Sequence, residues 1–246
     1  MESVLINKYQ MPKKKTIFFD AAGTLFYVSH GVGAHYSRIA EKYGVSVDPL
    51  FIDKRFHDTY GKSAHVIFEN VPRFEREQAE KEWWYNLVKQ VFDGVLFPAF
   101  DSFFEEVYTF FQQGAGEEER AWTLFPETRD VLGHLSEMHH PMGIISNFDS
   151  RIESILKNLK IFNFFQTITT STEAGFAKPS GRIFMHALEK ANCKPSDAVH
   201  IGDHPVYDLE GARNAGMRAV IIDRNRLRQG ESVIHDLREI YGNLIE

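Results

Sequence analysis

From Glu127 onward the chain alternates short apolar, β-rich runs with stretches of helical period, and this alternation constrains the fold more than any other feature. The spacing predicts a helix over Glu127 to Glu137, a strand over Met142 to Ser146, a helix over Ser150 to Leu159 and a strand over Gln166 to Thr170. It continues with a helix over Ser180 to Lys190, a strand over Ala198 to Ile201, a helix over Val206 to Asn214, a strand over Ala219 to Ile222 and a last helix near Val233 to Tyr241. Strands that alternate with helices predict parallel βαβ units, so the expected fold is α/β, a doubly wound parallel sheet of Rossmann-like form. A further strand, Thr16 to Phe19, ends abruptly at Asp20 and the turn-forming Gly23. In such sheets the polar residues at the C-terminal ends of strands converge on a crevice, and chemistry is expected there.

Between the first strand and the alternating part, Gly33 to Gln113 reads as helix throughout: Ala34 to Tyr43, Pro49 to Tyr60, Glu75 to Phe92 and Asp101 to Phe111. A composition break follows, Gly114-Ala115-Gly116 and then Glu117-Glu118-Glu119. A core made of residues 1–30 and 117–246, with a helical domain of residues 31–116 inserted in it, is therefore expected. The length of 246 residues and a hydrophobic content of 43% suit one core plus an insertion. The formal net charge of −6 gives no general attraction to nucleic acid or to anionic membrane, so neither is expected as a partner. No apolar run approaches the roughly 20 residues that span a bilayer. The single cysteine, Cys193, cannot form an internal disulfide, which fits a reducing, cytoplasmic setting. Met1 to Lys15 is expected as a solvated tail, its basic triplet Lys13 to Lys15 being too short for a nuclear-localisation signal.

The first strand delivers Asp20 to the crevice, the second Ser146 and Asn147, and the fourth Gly202 and Asp203, with Asp208 following; Lys178 and Pro179 lie in the loop after the third. A carboxylate nucleophile, further carboxylates for a metal, a hydroxyl and a lysine are what phosphoryl transfer requires. Singly, each residue has an ordinary structural explanation. Asp20 could be a turn residue, Asp203 and Asp208 could cap the helix near Val206, Ser146 and Asn147 could cap the next helix, and Lys178 could be an exposed loop lysine. Their joint occurrence favours function.

The motifs Asp20-Ala21-Ala22-Gly23-Thr24-Leu25, Ser146-Asn147, Lys178-Pro179 and Gly202-Asp203 through Asp208 occur in the order of the haloacid dehalogenase-like superfamily, which the chain resembles over about Thr16 to Asp223. Ser146-Asn147-Phe148-Asp149, Glu173-Ala174-Gly175 and Arg182-Ile183-Phe184 are similar to the subgroup of haloacid dehalogenase-like hydrolase domain-containing protein 3. The resemblance implies that the helical insertion is a cap and that Asp20 attacks a small phosphorylated substrate to form an aspartyl phosphate. It implies Mg²⁺ held by Asp20, the Ala22 carbonyl and Asp203, with Asp208 supporting the metal from behind or through water. Ser146 would bind a phosphate oxygen, Asn147 would be a further phosphate-binding candidate, and Lys178 would neutralise the transferring group.

Ala22 departs from the pattern, because the superfamily's phosphatases carry there a second Asp that protonates the leaving group. General acid–base catalysis is worth about 10² to 10⁴ in rate. The sequence therefore leads to an expectation of good leaving groups, or of an acid borrowed from His57, Asp58, His65 or Glu69. A metal-free 2-haloacid dehalogenase, a phosphonoacetaldehyde hydrolase with Lys54 or Lys62 forming a Schiff base, and a non-catalytic binding protein are the alternatives. The aromatic residues Trp83, Trp84, Tyr85, Phe103, Phe104, Phe110 and Phe111 are expected as packing, His139 and His140 as surface residues, and Cys193 as unreactive.

Overall fold

The computed structural model describes residues 14–63, 67–68, 71–113 and 120–243. The tail through Lys13, the candidates His65 and Glu69, and the break at Gly114 to Glu119 lie outside the described residues. Six parallel strands form the central sheet in the order β5-β4-β1-β6-β7-β8: Thr16–Phe19 is β1, Met142–Ser146 β4, Thr167–Thr170 β5, Ala198–Gly202 β6, Arg218–Ile222 β7 and Val233–Ile234 β8. From β1 the chain winds outward through β4 to β5 on one side, then through β6 to β8 on the other. The crevice of a doubly wound sheet opens where the winding reverses, here at the C-terminal ends of β4, β1 and β6.

Period-two alternation builds a core on each face of the sheet. Ile17, Phe19, Ile144, Val199, Ile201, Val220 and Ile222 pack against α5 (Thr128–Glu137) and α6 (Ile152–Asn158). Phe18, Ile145, Ala198 and Ala219 face the other way, onto α8 (Gly181–Lys190) and the short α9 (Gly211–Asn214).

Helices α1 (Val32–Lys42), α2 (Pro49–Lys62), α3 (Arg73–Val91) and α4 (Phe100–Gln113) occupy the stretch expected to be helical and surround a separate hydrophobic cluster. The start of α2 shows why: Pro49 opens its first turn, and the Asp48 carboxylate accepts from the backbone N–H groups of Leu50 and Phe51 at 2.7 and 3.2 Å. Phe103, Phe104, Phe110 and Phe111 are buried in that cluster as expected, and Trp83, Trp84 and Tyr85, half-buried, pack against it.

Three features differ from the expectation. The chain leaves the sheet through a two-stranded antiparallel ribbon, β2 (Phe26–Val28) paired with β3 (Trp122–Leu124), whose three-residue strands are too short to show a period. Val233–Ile234 is an edge strand instead of the start of a helix; Asp236 then caps a 3₁₀ turn, Leu237–Glu239, that leads into α10 (Ile240–Asn243). His140 is also not a surface residue: it is buried and its Nδ1 meets the Lys15 carbonyl at 2.9 Å, while His139 is exposed. Among the described residues, no helix is long and apolar enough to cross a membrane.

Candidate active site

Asp20 leaves the end of β1 with its backbone N–H donating to the Ile201 carbonyl at 2.8 Å, so its direction is set by the central strands. Lys178, buried to 3% exposure, donates from Nζ to Asp20 Oδ1 at 2.7 Å and to Asp208 Oδ1 at 2.6 Å. Asp208 also meets Nε2 of the buried His200 at 2.9 Å, and its Oδ2 accepts from the His204 backbone N–H at 2.9 Å. Asp203 is half-buried beside them, with Thr24 Oγ1 donating to it at 3.4 Å. Oxygens of Asp20, Asp203 and Asp208 lie within 4.8 Å of one another.

Backbone shape brings these acids together. After β6 the chain makes a wide π-helical turn, Pro205–Glu210, that folds Asp208 back over the strand end. Gly202 permits this, because a Cβ there would stand 2.1 Å from Asp208 Cγ. Gly23 adopts φ +90°, and a Cβ on it would stand 2.5 Å from Asp203 Oδ2. The capping role considered for the two aspartates falls to His204, whose Nδ1 accepts from the N–H groups of Val206 and Tyr207.

Three carboxylates against one lysine set the electrostatics. Burial, with Asp20 and Asp208 nearby, pushes the Asp203 carboxyl up to about 7. Burial acts the same way on Asp208, but the Lys178 ammonium and the His200 bond outweigh it and hold that carboxyl well below the usual range. Lys178 is held firmly protonated: burial disfavours its charge, and Asp20 and Asp208 more than offset that. A site of crowded, hard oxygen donors with excess negative charge suits a small divalent cation such as Mg²⁺.

Ser146 is buried at the end of β4 and lines the same cavity as the acids. Asn147 lines it too, and its side chain holds the Lys178 backbone: its Oδ1 accepts from the Lys178 backbone N–H at 2.6 Å and its Nδ2 donates to the Lys178 carbonyl at 2.9 Å. It thereby fixes the lysine loop. Ala22 lines the cavity. Of the possible substitute acids, His57 reaches the cavity wall, with Nε2 3.6 Å from Asp53, while Asp58 is exposed and not part of the wall. Lys54 and Lys62 are both exposed and neither lines the cavity, so the Schiff-base alternative has no lysine there among them.

Sequence reasoning missed His200 and a second polar cluster between the β4 loop and α3. Arg151 and Asp149, both buried, form a two-point ion pair with distances of 2.9 and 2.6 Å. Trp84 Nε1 donates to Asp149 at 2.6 Å, the Arg151 guanidinium lies 4.6 Å from the ring centres of Trp84 and Tyr108, and Glu80 accepts from the Ser150 hydroxyl. The helices are thus fastened directly to the loop that follows Ser146. Between the helices and the strand ends lies a cavity of about 660 Å³.

The family model for haloacid dehalogenase-like hydrolase matches residues 14–216. Haloacid dehalogenase-like hydrolase domain-containing protein 3 of Danio rerio is 32% identical over 213 residues, covering 85% of this chain and 84% of that protein. Among solved structures, a HAD phosphatase from Thermococcus onnurineus superposes with a TM-score of 0.62 at 22% identity, over 93% of this chain and 96% of its own. A 2-haloacid dehalogenase from Pseudomonas syringae pv. Tomato does so with a TM-score of 0.62 at 23% identity, over 94% and 98%. These two share the fold and differ in named activity. A parallel sheet that gathers Asp20, Ser146, Lys178 and Asp203 at its central strand ends, within a chain matched across most of its length, belongs to the haloacid dehalogenase-like hydrolase family.

Proposed function

We propose that this hydrolase is a Mg²⁺-dependent phosphatase of a small phosphorylated molecule, with Asp20 as nucleophile and α1 to α4 as its cap. The observation that carries this reading is the bridge from Lys178 to Asp20 and Asp208 beside Asp203, which leaves three carboxylates with one cation. Asp20, Asp203, the Ala22 carbonyl and Asp208 would hold the metal, which when bound supplies positive charge to the phosphate oxygens. A haloacid is itself an anion and lacks a group that would bring such a cation with it, so the crowded carboxylates favour the phosphate.

Lys178 engages Asp20 Oδ1 and leaves Oδ2 to attack phosphorus. As that bond forms, the bond from phosphorus to the leaving-group oxygen breaks, and the electron pair departs with that oxygen. Ser146 donates its hydroxyl to a phosphate oxygen, and the Lys178 ammonium offsets the negative charge that remains. Asn147 keeps Lys178 in place through both backbone bonds. Water then attacks phosphorus, the bond to Asp20 breaks, and inorganic phosphate leaves with the carboxylate restored. Ala22 can give no proton to the departing oxygen, so leaving groups of low pKa are favoured. A cytoplasmic setting fits the lone Cys193, whose thiol is half-buried and donates to the Lys194 carbonyl at 3.3 Å.

The test is Mg²⁺-dependent phosphate release from aryl, acyl and sugar phosphates by the natural chain and by Asp20→Asn. Release that requires both Mg²⁺ and Asp20 supports the reading; halide release from 2-haloacids without phosphate release overturns it.

A further inference from the structure

The walls of the cavity are unequal. At the sheet end stand the acids, Ser146 and Lys178; at the helical end stand rings. Phe56, Tyr60 and Trp84 lie nearly parallel, with centroids 5.7 Å apart from Phe56 to Tyr60 and 6.0 Å from Tyr60 to Trp84, at interplanar angles of 12° and 18°. Trp83 stands edge-on to Trp84 at 5.0 Å, and Tyr36 closes the wall beside Phe56 at 6.0 Å. The charges on this wall are spent: Asp149 and Arg151 neutralise each other, and Trp84 Nε1 donates to the same Asp149 carboxylate. The Asn147 amide, which also lines the cavity, is bound to the Lys178 backbone on both sides.

From this arrangement we infer that the substrate is the phosphate ester of a flat aromatic body, bound with its ring against the Phe56, Tyr60 and Trp84 face and its phosphate at Asp20. The inference rests on the phosphatase reading of the same site. Recognition of a sugar draws on free carboxylates and amides; among the described residues this wall offers tyrosine hydroxyls, His57 and the Trp83 indole N–H, and its carboxylate is already paired. Aromatic faces instead favour offset or edge contacts with another ring. A second, independent feature agrees. An aryl oxygen leaves as a phenolate, whose conjugate acid has a pKa near that of tyrosine, about 10. Such a group departs without the proton that Ala22 cannot supply. The size of the cavity, about 660 Å³, leaves room for a ring system in addition to the phosphate.

All three tryptophans of the chain, Trp83, Trp84 and Trp122, line this cavity, so intrinsic fluorescence reports its occupancy without turnover. Two comparisons are made with Mg²⁺ present. The first sets kcat/KM for phenyl and naphthyl phosphate against acetyl phosphate, which has a good leaving group and no ring, and glycerol phosphate, which has neither. The second titrates the fluorescence with benzylphosphonate and with methylphosphonate. The expected result is a preference for the aryl phosphates over acetyl phosphate and tighter binding of benzylphosphonate by about tenfold, the upper end of what an aromatic contact contributes. In Tyr60→Leu the ratio of naphthyl to acetyl phosphate turnover falls. If acetyl phosphate is cleaved as well as the aryl esters and both phosphonates bind alike, the aromatic assignment is overturned and the phosphatase reading stands. If no phosphate is released yet benzylphosphonate binds selectively, the phosphatase reading is overturned and the ring site stands. If neither occurs, both fall.

Discussion

Lys178→Met removes the single cation from the middle of the carboxylate cluster while keeping a side chain of similar length. The ammonium lies 2.7 Å from Asp20 and 2.6 Å from Asp208, and both partners are buried. Breaking a buried ion pair from one side leaves the partner charges uncompensated and costs about 3–5 kcal/mol. For a chain of this size each kcal/mol lowers Tm by roughly 2–4 °C, so without metal the melting point at pH 8 drops by about 6–20 °C. Because the penalty is carboxylate repulsion, it shrinks as the pH falls and the acids bind protons. Added Mg²⁺, binding the folded form alone, recovers part of the loss by mass action. Thermal melts of both proteins at pH 5 and pH 8, with and without Mg²⁺, measure all of this. A variant that melts within about 2 °C of the natural protein at pH 8, or a loss that does not respond to pH, would refute the reasoning.

Gly202→Ala places a Cβ inside the Asp208 carboxyl group and forces that residue away; overpacking of this kind costs about 1–3 kcal/mol, and Mg²⁺ affinity measured by calorimetry falls with it. The Asp203 carboxyl titrates at about 7 in the fold and near 4 in an unfolded chain, so the folded state binds the extra proton between those values. The stability of the metal-free protein therefore falls as pH rises from about 4 to about 7, and urea titrations show Asp203→Asn to flatten that slope. Asp208, shifted downward, acts only below this window. Ala22→Asp supplies an acid and speeds hydrolysis of alkyl phosphates by about 10² or more while changing aryl phosphates little; a uniform change across leaving groups contradicts the role given to Ala22. Trp84→Phe leaves the buried Asp149 carboxylate short of one donor and costs about 1–3 kcal/mol in chemical denaturation.

The sheet was legible because buried parallel strands are short apolar runs and their helices have a different period. Thr16–Phe19 and Met142–Ser146 have the ends expected of them. The ribbon of β2 and β3 escaped because three residues cannot display an alternation, and β8 because an edge strand of two residues is defined only by its partner β7. Asp20, Ser146 and Asp203 could be found since each stands at or just after a strand end, where topology makes polar residues meet; Lys178, beyond β5 and the short helix Ser171–Ala174, could be found only from the order of the motifs. His200 could not, because it lies within β6 among apolar neighbours and its link to Asp208 depends on the turn that folds Asp208 back. Asn147 was legible as a polar residue beside a strand end, but its bonds to the Lys178 backbone were not, since they join segments 31 residues apart. Trp84 was legible only as packing and Arg151 only as part of the helix expected over Ser150 to Leu159; their contact exists once the helices dock on the β4 loop. The aromatic wall followed from the same docking, which leaves Trp83 and Trp84 packed against the helical core on one side and lining the cavity on the other.

The most direct test of the account is to quench the protein in acid during turnover of an aryl phosphate with Mg²⁺ and to map any covalent adduct by peptide mass spectrometry. The account predicts a phosphoryl group on the peptide that contains Asp20, absent without Mg²⁺ and absent in Asp20→Asn. A phosphoryl group on another residue, or phosphate release by Asp20→Asn at the natural rate, would contradict it.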